Sequence, residues 1–147
     1  MILAIGSAIG FTALPAHADY QQYTYDASCG NNGITTADGR LWSANNVSGH
    51  GPGWLQLEDY TSACNYKNAN QIYAREDLLF WNGSQWVWCN TGPMVYNNAS
   101  ALYVLTGWTV FRPCGSGFYY LAGYNGVWTG SKWDQIQLHT PYVNSEY

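Results

Sequence analysis

The sequence predicts an all-β domain, a small disulfide-stabilised antiparallel β-sandwich or barrel with room for one short helix. Three observations predict it. Glycine-centred turn signals recur at short intervals, among them Asn31-Asn32-Gly33, Asp38-Gly39, Asn82-Gly83, Thr106-Gly107, Asn125-Gly126 and Thr129-Gly130. The runs between them are rich in Trp, Tyr, Val, Leu and Thr, residues that suit a pleated, half-buried surface. Cys29, Cys64, Cys89 and Cys114 are spaced by 35, 25 and 25 residues, an even set that suits two bridges.

The elements follow in order along the chain. Residues 1–18, MILAIGSAIGFTALPAHA, form an apolar run ending in the small-x-small triplet Ala16-His17-Ala18, the pattern of a secretory signal peptide. No Lys or Arg precedes that run, and Gly, Ser, Thr and Pro interrupt it, so it is short for a bilayer span. Cleavage there is expected to give a mature chain that starts at Asp19 and is secreted to the extracellular space, with no membrane insertion. Residues 19–28 read as an extended N-terminal strand or arm, on which Tyr23 and Tyr25 share one face.

A compact β domain follows over 29–140, and 141–147 reads as a short aromatic tail. Strands are expected at 21–27, 53–57, 72–81, 85–89, 102–111, 118–122, 127–129 and 132–138. The stretch 69–80, ANQIYAREDLLF, is the one candidate for a helix, because Ile72, Arg75, Glu76 and Leu79 have helical spacing, but only Ile72 and Leu79 of these are apolar, so strand and helix both stay open there.

Cysteine pairing and charge bound the chemistry. Three disulfide pairings are open, and the sequential one, Cys29 with Cys64 and Cys89 with Cys114, is preferred because it closes two moderate loops. A structural zinc site would want two cysteines separated by only a few residues, and no pair here is that close, so no metal and no cofactor are expected. The net charge is -4 with five scattered basic residues, which excludes the basic stripe a nucleic-acid binder needs.

The candidate catalytic groups do not form a set in sequence. Glu58-Asp59 and Glu76-Asp77 would point to opposite faces if in strands, and Glu58 would have to converge with Glu76 or Asp134 to make a carboxylate dyad for a polymer hydrolase. A nuclease-like group would need Glu76, an arginine such as Arg75 or Arg112, and His139 together. Cys114-Gly115-Ser116-Gly117 does not match a nucleophile elbow. The expectation is a protein that is not an enzyme.

The aromatic load is what remains to explain. Eight tryptophans, thirteen tyrosines and four phenylalanines exceed what a small core holds out of water, so some rings are expected at a binding surface. Two segments repeat one pattern: WNGSQW over 81–86 and WTGSKW over 128–133. Asn-Gly is a strong type I′ hairpin signal, and the flanking indoles would meet as cross-strand pairs. The same residues, Trp81, Asn82, Trp86, Trp128 and Trp133, are the candidates for a glycan platform, with Gln85 and Asn125 as further amides.

The favoured function is an adaptor or accessory subunit docking to an extracellular protein partner, with Tyr20, Tyr23, Tyr25, Trp88 and Trp108 as contacts; a lectin-like glycan-binding module is the alternative. Asn46, Asn82 and Asn98 begin glycosylation sequons.

Overall fold

The computed structural model describes residues 20–29, 32–43, 47 and 49–145; the leader read over 1–18, Asp19, the Asn46 sequon and the last two residues lie outside them. In chain order the strands are β1 (Tyr20–Asp26), β2 (Ile34–Ser43), β3 (Trp54–Lys67), β4 (Ile72–Trp81), β5 (Trp86–Thr91), β6 (Val95–Tyr96), β7 (Ala101–Phe111), β8 (Phe118–Trp128), β9 (Trp133–His139) and β10 (Val143–Asn144). They form a sandwich of two antiparallel sheets. The first has the order β1-β2-β3-β7; the second has β8 and β4 at its centre, β9 and β10 along one side and β5 and β6 along the other.

Alternation along each strand puts one set of side chains inside. On β3, Leu55, Leu57, Asp59 and Thr61 are buried, while Trp54, Gln56, Glu58 and Tyr60 are only partly covered. On β7, Val104 and Thr106 are buried between the exposed Tyr103, Leu105 and Gly107. Leu41, Leu55, Leu57 and Val104 of the first sheet pack against Ile72, Leu78, Tyr119, Leu121 and Val127 of the second to form the core.

Several expectations from the sequence are corrected. Of the two readings open over 69–80 the helix is corrected: the expected strand at 72–81 is β4 (Ile72–Trp81), and no α-helix occurs among the described residues. Burial explains the choice: Ile72, Ala74, Glu76 and Leu78 all face inward with period two. Strand β2 was not expected, and β3 runs ten residues beyond the expected end at Leu57. The expected strands at 118–122 and 127–129 are one continuous strand, β8.

The errors at β2 and β8 share one physical cause, which is that glycines read as turns lie inside strands beneath aromatic rings. A Cβ on Gly39 of β2 would fall 2.1 Å from Tyr23 Cε1, and one on Gly126 of β8 would fall 2.1 Å from Tyr73 Cε1. Neither glycine has a positive φ. They are there for space, not for turning.

The two WxGSxW segments are hairpins, β4–β5 and β8–β9. The turns close through Asn82 N–H to Gln85 O at 3.1 Å and Thr129 N–H to Lys132 O at 2.9 Å. Positive φ falls on Gly83 (98°) and Gly130 (103°) alone, the first central residue of each turn, which is the type II′ pattern and corrects the type I′ expectation. Trp81 meets Trp86 at 5.5 Å and Trp128 meets Trp133 at 5.7 Å between ring centroids, both edge to face. Such a pair is worth about 0.5–1.5 kcal/mol beyond its buried area.

The disulfides join Cys29 to Cys64 and Cys89 to Cys114, with Cα separations of 5.3 and 5.8 Å. The first ties the end of β1 to β3. The second ties β5 of one sheet to the connection leaving β7 of the other. At both ends the chain packs onto the body: β1 pairs with β2 along its length, and Val143 is fully buried in β10 against β8.

Gly126→Ala is expected to lower the urea midpoint, at a cost of about 1–3 kcal/mol, because the added methyl overlaps the Tyr73 ring. Equilibrium unfolding of Gly126→Ala, Tyr73→Ala and the double variant checks this. Additive losses in the cycle would contradict the direct contact.

Candidate functional site

The interior holds a polar cluster that bridges the sheets. From β1, Tyr23 crosses over Gly39 and donates its hydroxyl to Asp59 Oδ1 on β3 at 2.7 Å. Asn125 of β8 donates to the same oxygen at 2.9 Å and to Thr61 Oγ1 at 2.8 Å. Thr61 in turn donates to the backbone carbonyl of Tyr73 on β4 at 2.8 Å. Beside them Thr106 of β7 donates to Glu76 Oε1 at 3.3 Å. Asp59 Oδ2, Glu76 Oε2 and the Trp108 indole nitrogen are buried without a hydrogen-bond partner.

Two fully buried acids therefore share this cluster. Burial pushes Asp59 up to about 7, against the pull of its hydrogen bonds from Asn125 and Tyr23. Burial first, and the Asp59 charge second, push Glu76 up to about 8. The Tyr23 hydroxyl is also driven upward by burial and by Asp59, so it remains a donor. Asp77, next to Glu76, faces the other way and pairs with Arg75 at 2.8 Å.

These acids do not form the catalytic groupings considered from the sequence. Glu58 lies on the outer face of the first sheet, where it accepts from Gln56, and Glu76 lies inside. Asp134 accepts the Ile34 backbone N–H at 2.8 Å, a bond that closes the sheets at β9 and β2. His139 is on the outer face of the second sheet, with its ring 5.4 Å from that of Tyr120. Among the described residues no group of three or more His, Cys, Asp or Glu could hold a metal ion.

The outer face of the first sheet ends in the edge strand β7. Tyr103, Leu105 and Phe111 on it are 56%, 55% and 52% exposed. Over Gly107 a shallow hollow of about 370 Å³ opens between Gln56, Glu58 and Thr109 and reaches Trp108. Further in, Gln22, Asp38, Arg40, Glu58 and Tyr60 line a second hollow of about 300 Å³.

The outer face of the second sheet carries both tryptophan pairs, one at each end. Opposed residues in the register build successive rows between them: Leu79, Tyr120 and Trp88; Asp77, Ala122 and His139; Arg75, Tyr124 and Gln137; Tyr73, Gly126 and Gln135. Gln135 donates to the Tyr73 hydroxyl at 2.7 Å and Gln137 to the Tyr124 hydroxyl at 3.2 Å. The Arg75 guanidinium lies 4.4 Å from the centre of the Tyr124 ring. At the Trp86 end, Tyr120, His139, Thr140, Pro141 and Tyr142 complete a hollow of about 330 Å³.

The structure distributes the sequence candidates unevenly. Tyr20 is on the surface against Trp42 at 5.2 Å, and Trp88 is 59% exposed. Tyr23 belongs to the buried cluster; Tyr25 and Trp108 are half-buried against the core. Trp81, Trp86, Trp128 and Trp133 share one face. Asn82 sits in the turn, where its Oδ1 accepts from the backbone of Ser84 and Gln85 at 3.0 Å each. Asn125 is fully buried, so it is no surface amide. Sequence reasoning missed Gln135, Gln137, Tyr73 and Tyr124. The alternation in Trp133–His139 was the available signal for the two glutamines.

Because both buried acids bind protons more tightly folded than unfolded, their contribution to stability is fully present below about pH 4, is lost progressively as pH rises toward 7 and 8, and is level above that, a change of a few kcal/mol. Urea midpoints from pH 5 to pH 8.5 should fall, and Glu76→Gln should flatten the upper part of that curve. A constant midpoint in the wild type would contradict the buried-acid account.

No protein-family model matches this chain and no curated protein matches it in sequence.

Proposed function

We propose that this is a secreted, non-catalytic binding protein, an adaptor or accessory subunit that docks to another extracellular protein by accepting that partner's strand along β7. The carrying observation is the state of that edge. Strand β7 pairs with β3 on one side and with no strand on the other among the described residues. From Ala101 to Phe111 it has no charge and no proline, and its outward positions include the exposed Tyr103, Leu105 and Phe111.

Soluble proteins guard such edges with charges, prolines, bulges or short strands. The other edges follow that practice. Pro93 separates β5 from the two-residue β6, Asp134 stands in β9, and β1 carries Asp26 with polar Gln22 and Thr24 turned outward. An eleven-residue edge without charge or proline, irregular only where its pairing with β3 shifts between Tyr103 and Ala101, and with three half-exposed apolar side chains, fits a surface that a partner covers. Backbone pairing would supply affinity, and the notch at Gly107 would take one side chain of the incoming strand. Two disulfides and the leader-like first eighteen residues support an extracellular setting.

Capture of the mature protein's partner from the producer's culture fluid tests this. The wild type is expected to retain a protein in stoichiometric amount, and Leu105→Lys, which changes only an exposed position, is expected to lose it with an unchanged urea midpoint. Equal retention by wild type and Leu105→Lys, or a wild type that stays alone, contradicts docking at β7.

A further inference from the structure

We infer that the outer face of the second sheet is a binding site for an extended, uncharged polysaccharide, separate from the β7 edge. The placement of the two tryptophan pairs is the first reason. Trp128 lies level with Gln71, whose carbonyl accepts its N–H, so Trp81 and Trp128 stand ten residues apart along the β4 direction. At strand rise that is roughly 30 Å, room for a chain of several sugar rings and far more than one small molecule needs.

The chemistry between the pairs is the second reason. A pyranose presents flat C–H faces and a rim of hydroxyls, so it needs aromatic faces together with polar groups that both donate and accept. Trp88 and Tyr96 are 59% and 40% exposed on this face, and Trp81, Trp86, Trp128 and Trp133 are each half-covered by their partners. Gln135 and Gln137 are exposed, and the tyrosine hydroxyls that hold their NH₂ groups leave the amide carbonyls to accept from sugar hydroxyls. The hollow beside Trp86, walled by Tyr120, Tyr142 and His139, adds a place where one ring can seat edge-on.

Charge selects the class of polymer. Along the rows between the tryptophan pairs the formal charges are Arg75 and Asp77, and they neutralise each other at 2.8 Å. The first sheet's outer face is different, since Asp38, Arg40 and Glu58 stand together there. A neutral surface of amides, phenols and indoles suits a neutral chain and offers an anionic one no counter-charge.

The groups are also held in place before binding. The Trp88 indole N–H donates to the Asn90 carbonyl at 3.2 Å, and Arg75 is fixed between Asp77 and the Tyr124 ring. Less side-chain freedom is then lost on association. The two outer faces point away from each other, so a protein held at β7 and a polysaccharide held here can be bound together.

The test is calorimetry and tryptophan fluorescence with cello-, xylo-, manno- and chito-oligosaccharides of three and six units, with polygalacturonate as the charged comparison. At least one neutral series is expected to bind, six units at least tenfold more tightly than three. Trp88→Ala and Gln137→Ala, both at exposed positions, should each weaken binding about tenfold, while Leu105→Lys leaves it unchanged. Binding of no neutral oligosaccharide, equal affinity for three and six units, preference for polygalacturonate, or competition by the protein partner for this face would overturn the site.

Discussion

The sandwich depends on Tyr23 reaching from one sheet to the other. Its ring covers Gly39 beneath it, and a Cβ on Gly123 of the facing sheet would fall on its hydroxyl, so both glycines are needed for it to pass. The hydroxyl ends on Asp59, where Asn125 also arrives from the second sheet. Polar groups in a closed interior must be paired or they oppose folding. Pairing here across the gap fixes the distance and register of the sheets more sharply than leucine packing alone would.

That arrangement has a consequence for the acids. Once Asp59 is needed to receive Tyr23 and Asn125, Glu76 is buried close enough for the two charges to oppose each other. Protonation relieves the conflict. The interior thus holds two buried ionisable groups at an unusual setting, and the proposed binding surfaces lie on the outside. Period-two alternation puts them there, since the inward Leu78, Val104, Leu121 and Val127 of β4, β7 and β8 have outward neighbours Leu79, Tyr103, Leu105, Tyr120 and Trp128. The first sheet presents those neighbours along an edge strand without charge or proline, the second along a face bracketed by indoles.

Much of the fold was legible because hairpin chemistry is local. Trp-x-Gly-Ser-x-Trp needs only its own turn and its two indoles, and both copies fold as indole-flanked hairpins, though with type II′ in place of type I′ turns. The sequential disulfide pairing likewise followed from modest loop lengths. Strand β2 was hidden because Asp38-Gly39 resembles a turn until Tyr23 is seen lying over the glycine. The same holds for Asn125-Gly126 beneath Tyr73. Polar residues hid the second half of β3, because Asp59 and Thr61 read as surface until their partners on β1 and β8 are in place. For the site, Trp88 and the hairpin tryptophans were visible as types, whereas Gln135 and Gln137 gained meaning only when β9 put them on that same face.

By itself, then, the sequence determined what short-range forces decide: an all-β chain, two indole-flanked hairpins, two bridged cysteine pairs and no basic surface. Tertiary structure alone decided which strands share a sheet, that β7 is an edge, that Asp59 and Glu76 meet inside, and that tryptophans forty-seven residues apart lie on one face. Those outcomes depend on pairings between distant segments. Their free energy comes from burial and from hydrogen bonds such as Tyr23 to Asp59, which no local window of residues contains.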